Sequence, residues 1–562
     1  MRAAHSQTWM LAAIVALGAA PLLRTGAVQA ASHPHSDPKE EFRTSDRCQA
    51  CHNGLKARNG EDISIGFQWR ASVMANAGRD PYWQGSVRRE TIDHPESSEE
   101  IQNDCSTCHM PMQHLADRDV GQKTSVLSRL PFAAEHDRFA AYKDGVSCSV
   151  CHQVEAKGLG TPDTFNGNVA VAASANKKER PEYGPFAVDS GHQRVMQSST
   201  KGFVPTEAAH IRDAGLCGSC HTLYTTARGP GGKELGRLPE QMPFLEWQHS
   251  DYNDRESCQS CHMPEVTEPT RITSVFGPER TGMHRHVFVG GNILLPQVLN
   301  EHRDELDTQA LPEELKDAVG RTTEFLKTRS ARVNIQIVQQ SSRGLEFAVR
   351  VENLTGHKLP TAYPSRRAWL HVRVRDAADG VVFESGALRL DGSIMGNDND
   401  ADPKQFEPHY TEITKPDEVQ IFEPILKDMD GNVTTGLIAA VGYLKDNRIL
   451  PAGFDKKTAV ADVSVKGRAE DDPNFTGGSS VTRYVVPAGN APLHIEAELW
   501  YQPVGFRWAH NLEPYKAAEP QRWVKYYNEN AAQNAVMLAR AEVMQPKITA
   551  HVKIAPGTQA SF

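Results

Sequence analysis

Along the second half of the chain apolar and polar residues alternate in short runs, the period of strands that bury one face. Val333, Ile335 and Ile337 alternate with polar neighbours, as do Leu345, Phe347, Val349 and Val351, and then Leu370, Val372 and Val374. Further runs cover Val481 to Val486 and Leu493 to Tyr501. These predict half-buried antiparallel sheet, most simply a β-sandwich. Ahead of the strands the period becomes helical: Leu311, Leu315, Val319 and Phe325 predict a helix over Pro312 to Lys327. A terminal helix is predicted from Gln521 to about Glu542, bearing Trp523, Tyr526, Tyr527, Val536 and Leu538.

The first half has no such regularity. Asp80-Pro81 reads as an N-cap followed by proline at the first helical position, opening a helix through Tyr82, Trp83 and Val87. Gly158 to Gly184 and Thr225 to Pro243 are rich in glycine, proline and polar residues and are predicted as loops. At the N-terminus, Arg2, an apolar run from Trp9 through Leu23 and a Val28-Gln29-Ala30 end have the form of a secretory leader over residues 1–30. No later stretch reaches the eighteen unbroken apolar residues of a membrane helix, so no span is expected once the leader is removed. The expected location is periplasmic or extracellular.

Charge narrows the partners. The formal net charge is −9, and −11 once Arg2 and Arg24 leave with the leader. That argues against nucleic acid and favours encounter with basic proteins.

The ten cysteines define the chemistry. They fall as Cys48 and Cys51, Cys105 and Cys108, Cys148 and Cys151, Cys217 and Cys220, and Cys258 and Cys261, and each pair is followed at once by a histidine: His52, His109, His152, His221 and His262. Cys-x-x-Cys-His is the pattern of covalent haem attachment, in which two thiols form thioethers and the adjacent histidine becomes an axial iron ligand. Zinc sites would combine cysteine pairs around one ion and leave the five histidines without a reason. A disulfide framework leaves them equally unexplained. The expected cofactors are five haem c, all attached between Cys48 and His262, with haem supplying the apolar filling that the first half lacks.

Function then turns on the sixth ligand of each iron. A haem closed by a second strong ligand exchanges electrons only, whereas an open one can transform a small molecule. Of 23 histidines, five are proximal and His5 lies in the leader, leaving 17 for five sites. Candidate distal ligands are His94, His136, His210 and His249, each a short way before a motif, together with His286, His357 and Met74. His114, His192 and His284 stand in reserve. Tyr252, Lys358, Arg366 and Arg367 are the side chains that could hold an oxyanion beside an open haem, or pair with propionates.

The blocks Cys105-Ser-Thr-Cys-His-Met-Pro-Met112, Asp144-Gly-Val-Ser-Cys148, Cys258-Gln-Ser-Cys-His-Met-Pro264 and His286-Val-Phe-Val-Gly-Gly-Asn292 resemble periplasmic multihaem c-type cytochromes. Asn353-Leu-Thr-Gly-His-Lys-Leu-Pro-Thr361 with Arg366-Arg-Ala-Trp369 is similar to the β-rich domain that follows the haem half in such proteins. The resemblance implies a haem half like that of the tetrahaem cytochromes associated with hydroxylamine oxidoreductase, and it implies that His286 is a distal ligand. Pentahaem nitrite reductases differ, because they typically carry a lysine in place of one motif histidine and no Cys-x-x-Cys-Lys occurs here.

The sequence therefore predicts a mixed fold: a pentahaem cytochrome c domain of short helices and loops over 31–305, a linking helix over 306–330, and a β-sandwich-like domain with a C-terminal helix over 331–562. The expected function is electron transfer between a redox protein donor and acceptor, through mostly bis-histidine haems, in a complex or oligomer. A haem-dependent oxidoreductase acting on a small nitrogen or sulfur species at one open haem is the alternative.

Overall fold

The computed structural model describes residues 42–132, 140–172, 179–341, 344–487 and 492–545. The leader predicted over 1–30 and the candidate ligand His136 lie outside these residues.

Three helices are used below: α1 (Pro81–Asp93), α2 (Pro312–Arg329) and α3 (Ala518–Asn530). α1 starts where its sequence predicts, with the Asp80 carboxylate accepting from the Tyr82 and Trp83 N–H groups at 2.9 and 3.4 Å. Burial nevertheless raises the Asp80 carboxyl to about 6. α2 covers the helix predicted over Pro312 to Lys327, and the Glu314 carboxylate turns back to accept the Leu311 N–H at 2.9 Å.

The strands are β1 (Ala331–Ser341), β2 (Gly344–Asn353), β3 (Arg367–Arg375), β4 (Val381–Ser385), β5 (Glu412–Ile413), β6 (Ile421–Phe422), β7 (Phe475–Thr476), β8 (Ser479–Val486), β9 (Leu493–Gln502) and β10 (Val536–Gln545). One sheet runs β4-β3-β9-β10 with β6 also on β3; the other runs β5-β8-β2-β1 with β7 on β8. Both are open. Register follows the apolar alternation: Val333 faces Val351, Ile335 faces Val349 and Ile337 faces Phe347. In the other sheet Val374 pairs with Ile495, Val372 with Ala497 and Leu370 with Leu499. The inner faces share one core, in which the Phe347 and Tyr484 rings stack at 5.3 Å and Leu370, Val372, Ile495 and Leu499 are fully buried. A one-residue slip would turn these side chains to solvent, which fixes the pairing.

Two predicted elements differ. The terminal helix does not continue to Glu542: α3 ends at Asn530, a 3-10 turn covers Ala531–Gln533, and Val536 and Leu538 lie on strand β10. The cause is a change of period, since Val536 and Leu538 are two apart and both buried, and Val536 pairs with Tyr501 of β9. The stretches predicted as loops also contain strands. Arg180–Gly184 pairs in parallel with Phe203–Glu207, and Leu223–Arg228 forms a hairpin with Glu234–Gln241.

The C-terminal elements pack back on the N-terminal half. α3 crosses α1, where the Arg88 guanidinium forks onto the Glu519 carboxylate with both bonds at 2.9 Å and the Tyr82 and Trp523 rings meet at 4.9 Å. At the start of β3, buried Arg367 binds both oxygens of Asp400, at 2.7 and 3.0 Å. Among the described residues no helix is long and apolar enough to cross a membrane.

Candidate functional site

Each Cys-x-x-Cys-His motif begins on a turn of helix. Spacing of i, i+3 and i+4 puts both thiols and the histidine on one face, which the haem chemistry requires. Three of the turns are capped by the residue just ahead or close to it. Ser147 accepts from the Val150 N–H at 3.3 Å, Ser257 from Ser260 at 3.2 Å and Asp213 from Gly215 at 2.7 Å. The second motif instead ends the longer helix Ser98–His109.

The first motif departs from the others at Cys51. Its helix, Asp46–Gln49, stops two residues earlier, so Cys51 lies in the turn that follows and is half-buried there. Its carbonyl is taken by a remote segment: it accepts from the Ser274 N–H at 2.8 Å, the Ser274 hydroxyl at 3.0 Å and the Thr273 hydroxyl at 3.1 Å. The Cys51 N–H still donates to the Cys48 carbonyl at 3.1 Å, an i to i+3 bond that holds the two cysteines one tight turn apart. Cys51 therefore keeps the attachment spacing without the helix.

No disulfide joins any of the ten cysteines. Burial raises several of them, Cys220 to about 11 and Cys151 to about 12.

The five motifs converge. Cys48 and Cys148 are close enough to perturb each other electrostatically, as are Cys217 and Cys258. Cys220 lies within electrostatic reach of Cys108 and of Cys151. The first motif is thus near the third, the third near the fourth, and the second and fifth both near the fourth. Two glycines allow close packing beside the motifs. Gly145 has φ 56°, and a Cβ there would stand 2.4 Å from the Met74 carbonyl that also accepts the Val146 N–H. Gly218, inside the fourth motif, carries the Phe244 ring where a Cβ would be.

The proximal rings are oriented for metal binding. The Nδ1 of His52, His109, His152 and His262 donates to the carbonyls of Ile272, Ala77, Tyr183 and Val289, at 2.6, 2.9, 2.5 and 2.6 Å. A backbone acceptor at Nδ1 fixes the tautomer that leaves Nε2 free for a metal. Burial lowers all five proximal histidines, His109 and His221 to about 4, so the rings are neutral. Trp83 lies flat on His109 with centroids 4.3 Å apart.

Two of the candidate distal histidines face a proximal one. The His286 ring stands 6.4 Å from His152 with planes 17° apart, and the His357 ring stands 6.3 Å from His262 with planes 16° apart. Two imidazoles sharing one metal through bonds of about 2.0 Å, each ring centre about 1.2 Å behind its nitrogen, have centroids about 6.4 Å apart. Both spacings match. Nδ1 of His286 donates to the His284 carbonyl at 3.0 Å and Nδ1 of His357 to the Lys358 carbonyl at 2.9 Å. Burial lowers His286 to about 3 and His357 to about 4. These residues fit haem iron on the chemistry of the donor set.

The other candidates are placed differently. His94 caps the end of α1, giving its N–H to the Glu90 carbonyl. His210 spends Nε2 on the Val154 carbonyl at 2.8 Å, and its ring meets the edge of Tyr183. His249 donates Nδ1 to Leu245 at 2.8 Å and lies by Phe454. Met74 contributes the backbone carbonyl that anchors Val146.

Three of the side chains considered for holding an oxyanion are otherwise engaged. The Tyr252 hydroxyl donates to the Leu354 carbonyl at 2.8 Å, Lys358 is fully buried against Asp446, and Arg367 is locked on Asp400. Arg366 lies near His221, His262 and His357, and beside it the buried Tyr501 hydroxyl has no hydrogen-bond partner. An orphaned hydroxyl beside a guanidinium fits a carboxylate such as a haem propionate. Sequence reasoning missed Tyr501, and it missed Phe325 of α2, whose ring stands 5.9 Å from His262. Both are contributed by elements remote in sequence from the fifth motif.

No family model matches the chain, and no curated protein matches it. Among solved structures the chain is similar to a penta-heme cytochrome c552 from Thermochromatium tepidum, with 15% identity over 91% of this chain and 100% of that chain and a TM-score of 0.49.

Proposed function

We propose that the chain is an exported electron-transfer protein carrying five covalently bound c-type haems, mostly bis-histidine ligated. The observation that carries this reading is the pair of facing rings, His152 with His286 and His262 with His357, spaced as one shared metal demands. When bound, haem supplies a reversible one-electron centre. The chain's own residues would attach it through the ten cysteines, orient four of the five proximal rings through backbone carbonyls and close two of the iron positions to other ligands. Proximity of the motifs in the order one, three, four, with two and five joining at four, supports a branched path for electrons. The leader pattern supports export, and the acidic balance supports basic redox proteins as donor and acceptor.

The enzymatic alternative has weaker support, because Tyr252, Lys358 and Arg367 are already committed to other groups. The test is mass spectrometry of the holoprotein, followed by low-temperature EPR and CO difference spectra. Five haems per chain, low-spin signals and no CO adduct are expected. A high-spin ferric signal that shifts on adding nitrite would overturn the carrier reading.

A further inference from the structure

The loop that carries His357 is gripped by buried charge. Lys358 is fully enclosed, and its ammonium sits 2.7 Å from Asp446. Its N–H donates to Glu246 at 3.1 Å, while its carbonyl accepts from His357 Nδ1 at 2.9 Å. Arg448 joins the two acids, binding Asp446 at 2.8 and 2.7 Å and standing 3.0 Å from Glu246. Two cations and two carboxylates make the cluster neutral, and all four side chains are buried. Glu246 comes from the helix Pro243–Gln248, between the fourth and fifth motifs, so the cluster ties the ligand loop to the haem half. The Thr361 hydroxyl donates to the same Glu246 carboxylate. The other end of the loop is held by Asn353, whose amide donates to the carbonyls of His357 at 2.8 Å and Ile449 at 2.9 Å, and by Tyr252 on Leu354.

Buried ion pairs exchanged for well-packed apolar residues often leave stability unchanged or improved, so stability alone does not account for four charges here. We infer that the Lys358, Asp446, Arg448 and Glu246 cluster is the positioning device that fixes His357 as axial ligand opposite His262. This rests on the reading of His357 as a ligand. The cluster residues act on the ring through the backbone of Lys358. Any swing of the His357 ring away from His262 breaks its bond to the Lys358 carbonyl, which the cluster holds still.

The test compares holoproteins carrying His357→Ala, Lys358→Met and Glu246→Gln by EPR spin quantitation and CO binding, with thermal melting alongside. His357→Ala should convert one haem per chain to a high-spin, CO-binding form. Lys358→Met and Glu246→Gln should each convert a fraction of that same haem and leave the other four low-spin. Glu246→Gln keeps side-chain volume and decides the matter if Lys358→Met does not assemble. If both cluster variants melt earlier yet stay wholly low-spin while His357→Ala does not, the cluster is only structural and the inference is overturned. If His357→Ala itself stays low-spin, the ligand assignment is what fails.

Discussion

Replacing His286 by alanine removes the ring that stands 6.4 Å from His152 and leaves that proximal histidine without a counterpart. With five motifs per chain, one fifth of the iron should change from low-spin to high-spin, and one CO should bind per chain after reduction. The neighbouring His284 is fixed by its own strand ladder, paired with Glu265, so full loss of ligation is expected. His286→Ala combined with His357→Ala should give two fifths high-spin iron, because the two rings face different proximal histidines. The assay is EPR spin quantitation against the total haem measured by pyridine haemochrome, with CO titration as a second count. Added imidazole should return the single variant to low-spin by filling the vacated volume. A His286→Ala holoprotein in which all five haems stay low-spin would refute the ring-spacing argument.

Three further outcomes follow from the packing and electrostatics. Phe347→Ala empties the centre of the sandwich beside Tyr484 and should cost about 3 to 5 kcal/mol in denaturant unfolding, with the haem spectra unchanged in the folded state. The Asp80 carboxyl, raised to about 6 by burial, holds its proton more tightly in the fold than when unfolded. Its contribution is fully present below about pH 4 and is lost as pH rises through 6, by at most about 3 kcal/mol; Asp80→Asn, which still caps α1, should flatten the stability profile over that window. Asp400→Ala leaves Arg367 buried without its carboxylate and should destabilise by about 3 to 5 kcal/mol, measured by thermal melting.

The sandwich was legible because its strands bury one face and so write a period of two into the chain. Val333 to Val351 and Leu370 to Val374 pair as their alternation requires. The Asp80 cap was legible for an equally local reason, a side chain reaching its own helix. β10 was not, since Trp523, Tyr526 and Tyr527 give α3 a helical period that Val536 and Leu538 can be read as continuing, and the turn at Ala531–Gln533 carries no glycine or proline. The hairpin Leu223–Gln241 was hidden by the glycines and prolines of its own turn. At the site, the five Cys-x-x-Cys-His motifs are local patterns and are read directly from the chain. The tie of the first motif to a remote segment could not be, because the Thr273 and Ser274 hydroxyls that take the Cys51 carbonyl lie more than two hundred residues away. Nor could the ring pairing: His357 lies 95 residues beyond His262, and only packing of the strand-rich C-terminal part on the motif-bearing part sets which ring faces which. The misreading of Lys358 and Arg367 as available cations has the same origin, because their acids, Asp446 and Asp400, are distant in sequence.

The nearness of three motifs to the fourth has a consequence for robustness. In the language of networks, Cys217 to His221 is a hub, within electrostatic reach of the second, third and fifth motifs. On the proposed electron-transfer reading, damage at the hub would disturb more of the path than damage at a motif with a single neighbour.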